Sequence, residues 1–580
     1  MAGAHRSVLA AVAIGFGLRA LASWGALPGA WGLDTFRHLA PGWAPVLVTL
    51  GAIGFLPGMR PAIESALDGL GGTWEKAGLR LDAALAAGVG VCLFALPDPI
   101  RFVGDADARY AQLFTDAPTA RAFPQATALD RLVNIEVGRA LVRLGAPPEV
   151  ATLAAPALLG ALLALALFAF MRAAEAPRGD RVAVAAFLLG STFPIHMAGY
   201  GKFGLLLLGI VLAAIGVVQV ARAGRGAALL GVGTALAVLA HRSGFLLLPA
   251  CGAALFLTWR HARSGMERRE VVLGAVLVAV AAVIEGPHAV DALWRVDRVT
   301  HLAGAAARPP GAGFLAPAVA ALQNLFYSLP AWLAGGAAVV ALSVRPRANG
   351  ERFGLGVIAT LAGAIAVAQL MLVRGTQGEV RDWDMHLGPA LIIGLIGAYA
   401  LARLARAPAL GAAAPLATTA LASSIALWAI HSNPLVFYAR IDAQLERSAL
   451  WTDSERARTY DLLGMRAVAL GAPETAVRYL EAAVAIAPSP RFLCQMGGAL
   501  RMAGRPADAE ARYRQAQQRA PNSPDPWLGL GALALDRRDY DTALACARRA
   551  TALMPDRLEA RELERLALEG SAGLPTPSSR

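Results

Sequence analysis

Between residues 8 and 431 the chain is a succession of apolar runs, and after residue 431 the pattern stops. A run of roughly 20 apolar residues crosses the ~30 Å hydrocarbon core of a bilayer as a helix. Within lipid every backbone N–H and C=O must be paired inside the segment, which leaves the helix as the available conformation. The runs fall at 8–28, 42–59, 81–97, 149–171, 183–199, 203–221, 227–241, 244–259, 270–286, 328–344, 353–373, 386–404 and 411–431. They predict an all-α fold, a polytopic transmembrane helical bundle of about 13 spans. The stretch 314–344 is too long for one crossing, and Pro330 is expected to divide it. The composition agrees, with 56% hydrophobic and only 16% charged residues, where soluble chains carry about a quarter charged.

Lys and Arg number 53 against 41 Asp and Glu, a formal charge of +12. In a membrane protein such an excess reads as cytoplasmic loop arginines, so no nucleic-acid partner is expected. The basic residues do fall in alternate loops: Arg60, Lys76 and Arg80; Arg172, Arg178 and Arg181; Arg222 and Arg225; Arg260, Arg263, Arg268 and Arg269; Arg345, Arg347 and Arg352; Arg403 and Arg406. This puts the N-terminus in the cytoplasm and, with an odd number of spans, the C-terminal portion outside. Residues 1–30 also read as a signal peptide, whose removal would leave that orientation unchanged. The four cysteines form no CxxC, and Cys92 and Cys251, inside apolar runs, are expected as small core residues. Abundant Ala, Arg, Gly and Pro suggest a bacterial source, and hence the bacterial cytoplasmic (inner) membrane.

A second pattern follows residue 452. Gly464, Gly497 and Gly531 are 33 and 34 residues apart, and Ala476, Ala509 and Ala543 keep the same intervals. So do Ala483, Ala516 and Ala550, and Pro488, Pro521 and Pro555. This is the period of tetratricopeptide repeats, helix pairs that stack into an α-solenoid. Repeats are expected from about 457, 490 and 524, with a capping helix at 558–570, over a domain of 457–570. A linker is expected at 432–456 and a disordered tail at 571–580. The array predicts a protein or peptide partner.

The topology collects polar residues on the outer side. The loop 98–148 carries Asp105, Asp107, Arg109 and Tyr110. A second loop carries His196, Tyr200 and Lys202, a third His241 and Arg242, and a fourth Arg381, Asp382, Asp384 and His386. A carboxylate base beside cations for an anionic substrate is what an extracytoplasmic active site needs. Taken singly, each group also has a structural reading: a solvated turn, a snorkelling lysine, a local ion pair.

Over residues 81–431 the sequence resembles the GT-C superfamily of polytopic glycosyltransferases, which includes protein O-mannosyltransferases and bacterial aminoarabinose transferases. GDADARYAQ at 104–112 looks like the family's acidic motif, and RLVNIEVGRALVRLG at 131–145 like the juxtamembrane helix that follows it. GYGKFG at 199–204, LAVLAHRSGFLLLP at 236–249 and RDWD at 381–384 look like later landmarks, with Lys202 at a position often acidic in relatives. Residues 1–80 are then an extra hairpin and cytoplasmic loop ahead of the core. The resemblance implies transfer of a sugar from a polyprenyl-phosphate donor to a protein, lipid or glycan acceptor. Asp105 or Asp107 would be the catalytic base. Arg109, Tyr110, Lys202, His241, Arg242, Arg381, Asp382, Asp384 and His386 would bind the donor phosphate or substrate. It implies no certain cofactor; a divalent metal on the DxD is compatible with it. Alternative readings are a non-enzymatic membrane scaffold that recruits envelope proteins through its repeats, and an oligosaccharide ligase or polymerase.

Overall fold

Apolar, alanine- and leucine-rich runs punctuated by Gly and Pro form helices here without exception: every described element is helical. The computed structural model describes residues 2–27, 29–40, 42–102, 106–114, 118–123, 126–302, 315–343, 353–375, 380–405, 411–447 and 451–573. It divides into two compact units, Met1–Leu450 and Trp451–Arg580.

The first unit opens with α1 (Ala2–Ser23), α2 (Trp43–Ala52), α3 (Arg60–Ala77) and α4 (Leu79–Ala95). After the loop come α5 (Pro148–Ala174), α6 (Arg178–Leu189), α7 (Gly204–Ala223), α8 (Ala227–Ala240), α9 (Leu248–His261) and α10 (Gly265–Ala292). The last group is α11 (Ala316–Ser328), α12 (Trp332–Ser343), α13 (Gly356–Leu372), α14 (Leu387–Ala405), α15 (Ala413–Ser432) and α16 (Pro434–Arg447).

The expected 13 spans are not met. Among the described residues, seven helical stretches are long and apolar enough to cross a membrane, or up to nine if each of two bent pairs counts as one span. The reasons are local. The run 81–97 gives a 17-residue α4 whose first turn holds the charged Asp82. In the run 183–199 the 12-residue helix that begins at Arg178 stops at Leu189, and the chain turns at Gly190 and resumes as the single turn Thr192–Ile195. The helix α8 has 14 residues and ends where His241 turns extended. The run 42–59 bends by 87° between Phe55 and Arg60, around Pro57. The stretch 314–344 bends by 103° between α11 and α12, where Pro330 stands as expected. Outward side chains such as Val91, Val283, Ile284, Val340 and Val357 are exposed, a surface suited to lipid rather than water. Cys92 lies on this surface and not in the core, whereas Cys251 is buried.

Small residues let the helices approach. A Cβ on Gly209 of α7 would lie 2.6 Å from the Gly233 carbonyl oxygen of α8, so glycine is required at that crossing. Three of the expected cytoplasmic loops, at 60–80, 172–181 and 222–225, meet at one end of the unit, and some of their arginines are paired there. Arg172 binds Asp82 at 2.6 Å, Arg178 binds Glu75 at 2.5 Å, and Arg222 pairs with Glu175. Arg345, Arg347, Arg352 and Arg406 lie outside the described residues.

The expected linker 432–456 is a correction. It contains α16, which is part of the first unit: Phe437, Ile441 and Arg440 are buried, and Arg440 reaches Asp34. An amphipathic helix rich in charge reads as a connector until its partner, 406 residues away, is known.

In the second unit the repeats are paired helices, from Asp453–Ala469 with Pro473–Ile486 to Tyr540–Leu553, closed by Leu558–Ser571. The periodic markers explain themselves. Ala476, Ala509, Ala543, Ala483, Ala516 and Ala550 are all fully buried. A Cβ at Gly464, Gly497 or Gly531 would strike Leu480, Tyr513 or Leu563 at 2.6, 2.7 and 2.5 Å. The first helix starts at Asp453, four residues before the expected 457, behind a capping box of Thr452 and Glu455. The tail beyond Gly573 lies outside the described residues.

Candidate functional site

The end of the first unit opposite the paired arginines gathers the loops expected on the outer side. The N–H of Asp98, just past α4, donates to the Ala198 carbonyl at 2.8 Å. The Thr127 hydroxyl donates to Ala240, the last residue of α8, at 2.9 Å. Phe203 then ties three side chains together: its ring centroid is 4.8 Å from that of His241, 5.8 Å from that of His196 and 5.3 Å from the Lys202 ammonium. Trp383 adds the fourth loop, 5.7 Å from His196 and 5.1 Å from Tyr327. Residues from three distant loops and from α11 therefore share one aromatic cluster.

Under this cluster lies a cleft of about 300 Å³, whose polar lining includes Asp98, Arg101, His196, Tyr200 and His431. A second cleft, about 480 Å³, shares Arg101, Ala106 and Tyr200 with it and runs along Asn134 and Thr152. A third, apolar hollow of about 760 Å³ lies deeper in the bundle between α7, α8, α9, α13 and α14, with Ile210, Leu230, Cys251 and Ile358 on its walls.

The turn that follows α4 sets the polar centre. The Asp98 Oδ1 accepts the N–H groups of Ile100 and Arg101 at 2.9 and 3.2 Å, and its Oδ2 faces His431 Nδ1 at 3.2 Å. Arg101 has φ +50°, a left-handed conformation that costs a non-glycine residue about 1 kcal/mol or more. Its guanidinium lies 3.9 Å over the Tyr110 ring, at the junction of the two clefts. Glycine would adopt that backbone without strain. His196 sits in the connection between α6 and α7, outside the membrane-length helices, and is 4% exposed. Burial above all, with Lys202 and His431 adding, lowers its pKa to about 3 and keeps the ring neutral.

The sequence-predicted residues divide. Asp105 and the side chain of Asp107 lie outside what the structure describes. Arg109 makes a two-pronged buried pair with Asp130, at 2.9 and 2.8 Å, and lines the larger cleft. Tyr110 is the platform for Arg101. His241 caps the turn Arg242–Leu247, its Nδ1 2.8 Å from the Ser243 hydroxyl, and Arg242 stands half-buried in that turn. Arg381 is half-buried, while Asp382, Asp384 and His386 are buried in or beside the turn Trp383–His386 and not in solvent. Gly375 is pressed on this segment, since a Cβ there would meet the Asp382 Cβ at 2.2 Å.

Asp98, Arg101, Tyr327, His431 and Arg440 were not singled out from the sequence. Asp98 and His431 stand at the ends of apolar runs, a position that marks the membrane face but not the pairing. Among the described residues no three His, Cys, Asp or Glu side chains converge as a metal site, and the DxD lies outside them.

Residues 500–566 match the tetratricopeptide repeat family. That segment is a small part of the chain and covers the later repeats and cap. No curated protein matches the chain. Among solved structures, the chain is similar to the crystal structure of yeast Tom70 at 13% identity, over 69% of this chain and 82% of that one, with a TM-score of 0.21. A score that low carries no argument about fold or function. The chain is thus an all-α protein with membrane-length helices and tetratricopeptide repeats, a class that binds proteins through its repeats. The glycosyltransferase resemblance rests on the quoted motifs alone.

Proposed function

We propose that the chain is a membrane glycosyltransferase that moves a sugar from a polyprenyl-phosphate donor to an acceptor on the extracytoplasmic side. The observation that supports this is the cleft: the Asp98 carboxylate, Arg101 and, beside it, Lys202 stand together at one end of a bundle with membrane-length helices. In the proposed reaction the acceptor oxygen attacks the anomeric carbon while its proton passes to Asp98. The bond from that carbon to the phosphate oxygen breaks, and the electron pair stays on the phosphate beside Arg101. A carboxylate within reach of the acceptor hydroxyl can take its proton as the new bond forms. A fixed cation stabilises the growing charge on the leaving phosphate. The carrier tail would lie against apolar helix surface, for which the hollow bounded by Ile210 and Ile358 is suited. Asp105 and Asp107, on the adjoining loop, would serve the acceptor side or a cation.

In this reading the paired-arginine end is cytoplasmic and the cleft end extracytoplasmic, in a bacterial inner membrane. The repeats are then extracytoplasmic too, as the alternate arginine loops imply for the C-terminal portion. They would hold a protein acceptor near the site and raise its local concentration. Single cysteines at Ser264 and Ser523 in a cysteine-free background test the orientation: an impermeant thiol reagent on intact cells should label 523 and spare 264.

Mass analysis of envelope glycans and glycoproteins with and without the chain tests the function. A sugar missing from one species is expected, and an unchanged profile counts against transfer. The repeat-family match at 500–566 favours a second reading, a scaffold that recruits envelope proteins. Removing residues from Asp453 onward separates the two. A transferase keeps its donor binding and its use of small soluble acceptors; a scaffold loses its only activity.

A further inference from the structure

The proposed reaction leaves one buried imidazole in the cleft wall unused. His196 is 4% exposed and lines the smaller cleft with Asp98 and Arg101. Among the described residues neither of its ring nitrogens has a hydrogen-bond partner. Its neighbours are rings: Tyr200 and Trp383 lie 5.3 and 5.7 Å away between centroids, each nearly perpendicular to it. An aromatic face receives an N–H weakly, but it does not donate. Burial above all lowers the His196 pKa to about 3, so the ring is neutral and one nitrogen is a bare lone pair. A buried acceptor of that kind is costly to leave unmet, and the cleft is the space from which a donor can reach it.

A second orphaned acceptor lies in the larger cleft. Asn134 lines it from the π-helical turn Leu132–Glu136, a rare conformation that recurs at functional sites. Its Nδ2 donates to Asp130 Oδ1 at 2.9 Å. Asp130 only accepts, and Arg109 grips both of its oxygens, so the amide is held with Oδ1 turned away from it. That Oδ1 is buried and has no donor among the described residues. Gly201 leaves it room, since a Cβ there would lie 2.8 Å from Oδ1. One unmet acceptor thus stands in each cleft, and Arg101, the cation assigned to the donor phosphate, is common to both. An ionised phosphate only accepts, whereas a sugar offers several O–H donors.

We propose that His196 and Asn134 are binding residues for the sugar of the donor: each accepts a hydrogen bond from a sugar hydroxyl, while Arg101 takes the phosphate. This rests on the reading of the clefts as the site of sugar transfer, in which the anomeric carbon lies between Asp98 and Arg101. Neutral acceptors hold a hydroxyl without neutralising Arg101 or repelling the phosphate, as a carboxylate in their place would. Asp130 and Arg109 act through Asn134, as the pair that orients its amide.

The test is equilibrium binding of two probes to the full chain in nanodiscs: polyprenyl phosphate alone, and the same lipid carrying a hexose or a pentose. The parent should bind the sugar-bearing lipid more tightly. His196→Phe keeps a flat ring and removes both nitrogens. It should melt no lower than the parent, hold bare polyprenyl phosphate as before, and lose about tenfold in affinity for the sugar-bearing lipid, the scale of one hydrogen bond. Asn134→Leu should show the same split between the probes, and His196→Gln, which restores an acceptor, should recover part of the loss. Unchanged affinity for the sugar-bearing lipid in either apolar variant overturns that residue's role, and is what a trapped water in place of the hydroxyl predicts. An equal loss for both probes overturns it as well, because the side chain then only shapes the cleft. Should His196→Phe not fold, ¹⁵N-histidine spectra of the parent decide, with His196→Gln supplying the assignment. The His196 signals should move with the sugar-bearing lipid and not with the bare one; no difference overturns the proposal. A parent that transfers sugar while the variants keep their affinity overturns this inference alone. A parent that neither prefers the sugar-bearing lipid nor transfers sugar overturns the proposed function with it.

Discussion

Arg440 and Asp34 are 406 residues apart in sequence and meet at 3.0 Å with both side chains buried. Around them Gln444 donates to the other Asp34 oxygen at 2.7 Å, and Arg440 also reaches the Trp31 carbonyl. The contact joins the connection after α1 to the helix after α15, and so closes the first unit at its cleft end. A buried pair of this kind sets how elements meet more than it adds net stability, because both ions lose their water.

Arg440→Ala should therefore be severe, since it strands Asp34 in a dry site. Loss of about 3–5 kcal/mol is the usual scale when one partner of a buried pair is removed. The double variant Arg440→Met, Asp34→Leu should recover much of that loss. Thermal melts of the detergent-solubilised chain check both.

The same pair makes a pH prediction. Burial pushes the Asp34 carboxyl up, but Arg440 and His38 outweigh it and hold it below the ordinary carboxylate value. A group whose folded value is depressed stabilises the fold above its unfolded value, near 3.9, and loses that contribution as pH falls through the folded one. The melting temperature should hold down to about pH 4 and fall below it. In Asp34→Asn this part of the fall should be absent; an identical acid profile contradicts the assignment.

In the repeats, Gly497 faces the Tyr513 ring so closely that a Cβ would sit at 2.7 Å, whereas one on Gly498 would meet only the Tyr513 hydroxyl, at 3.7 Å. Gly497→Val should cost about 1–3 kcal/mol through overpacking, and Gly498→Ala should cost little. Hydrogen exchange over 490–536 in the full chain reads the difference.

Periodicity made much of this architecture legible. The repeats follow from Gly497, Ala509 and Pro521 recurring at fixed intervals, because each marks a contact that only a small residue or a helix stop permits. The apolar runs gave helices, but not their lengths. Whether Gly190 or Pro330 bends a helix or ends it depends on what packs against the break. At the site, outer-face sorting brought His196, Lys202, His241 and Trp383 to one cluster, as one membrane side requires. It did not anticipate that Arg109 is held by Asp130, or that Asp98 meets His431 across 333 residues. Such pairings have no period and leave no local trace.

The most direct measurement is sugar transfer by the purified chain in liposomes carrying polyprenyl-phosphate-linked sugars, with parent and Asp98→Asn side by side. Asn is nearly isosteric but does not take a proton at neutral pH. Transfer by the parent and a loss of roughly 10²-fold or more in Asp98→Asn, within the usual range for a general base, with melting temperatures alike, is the predicted result. Full activity in Asp98→Asn would contradict the role of Asp98, and no transfer from any donor by a folded parent would contradict the account as a whole.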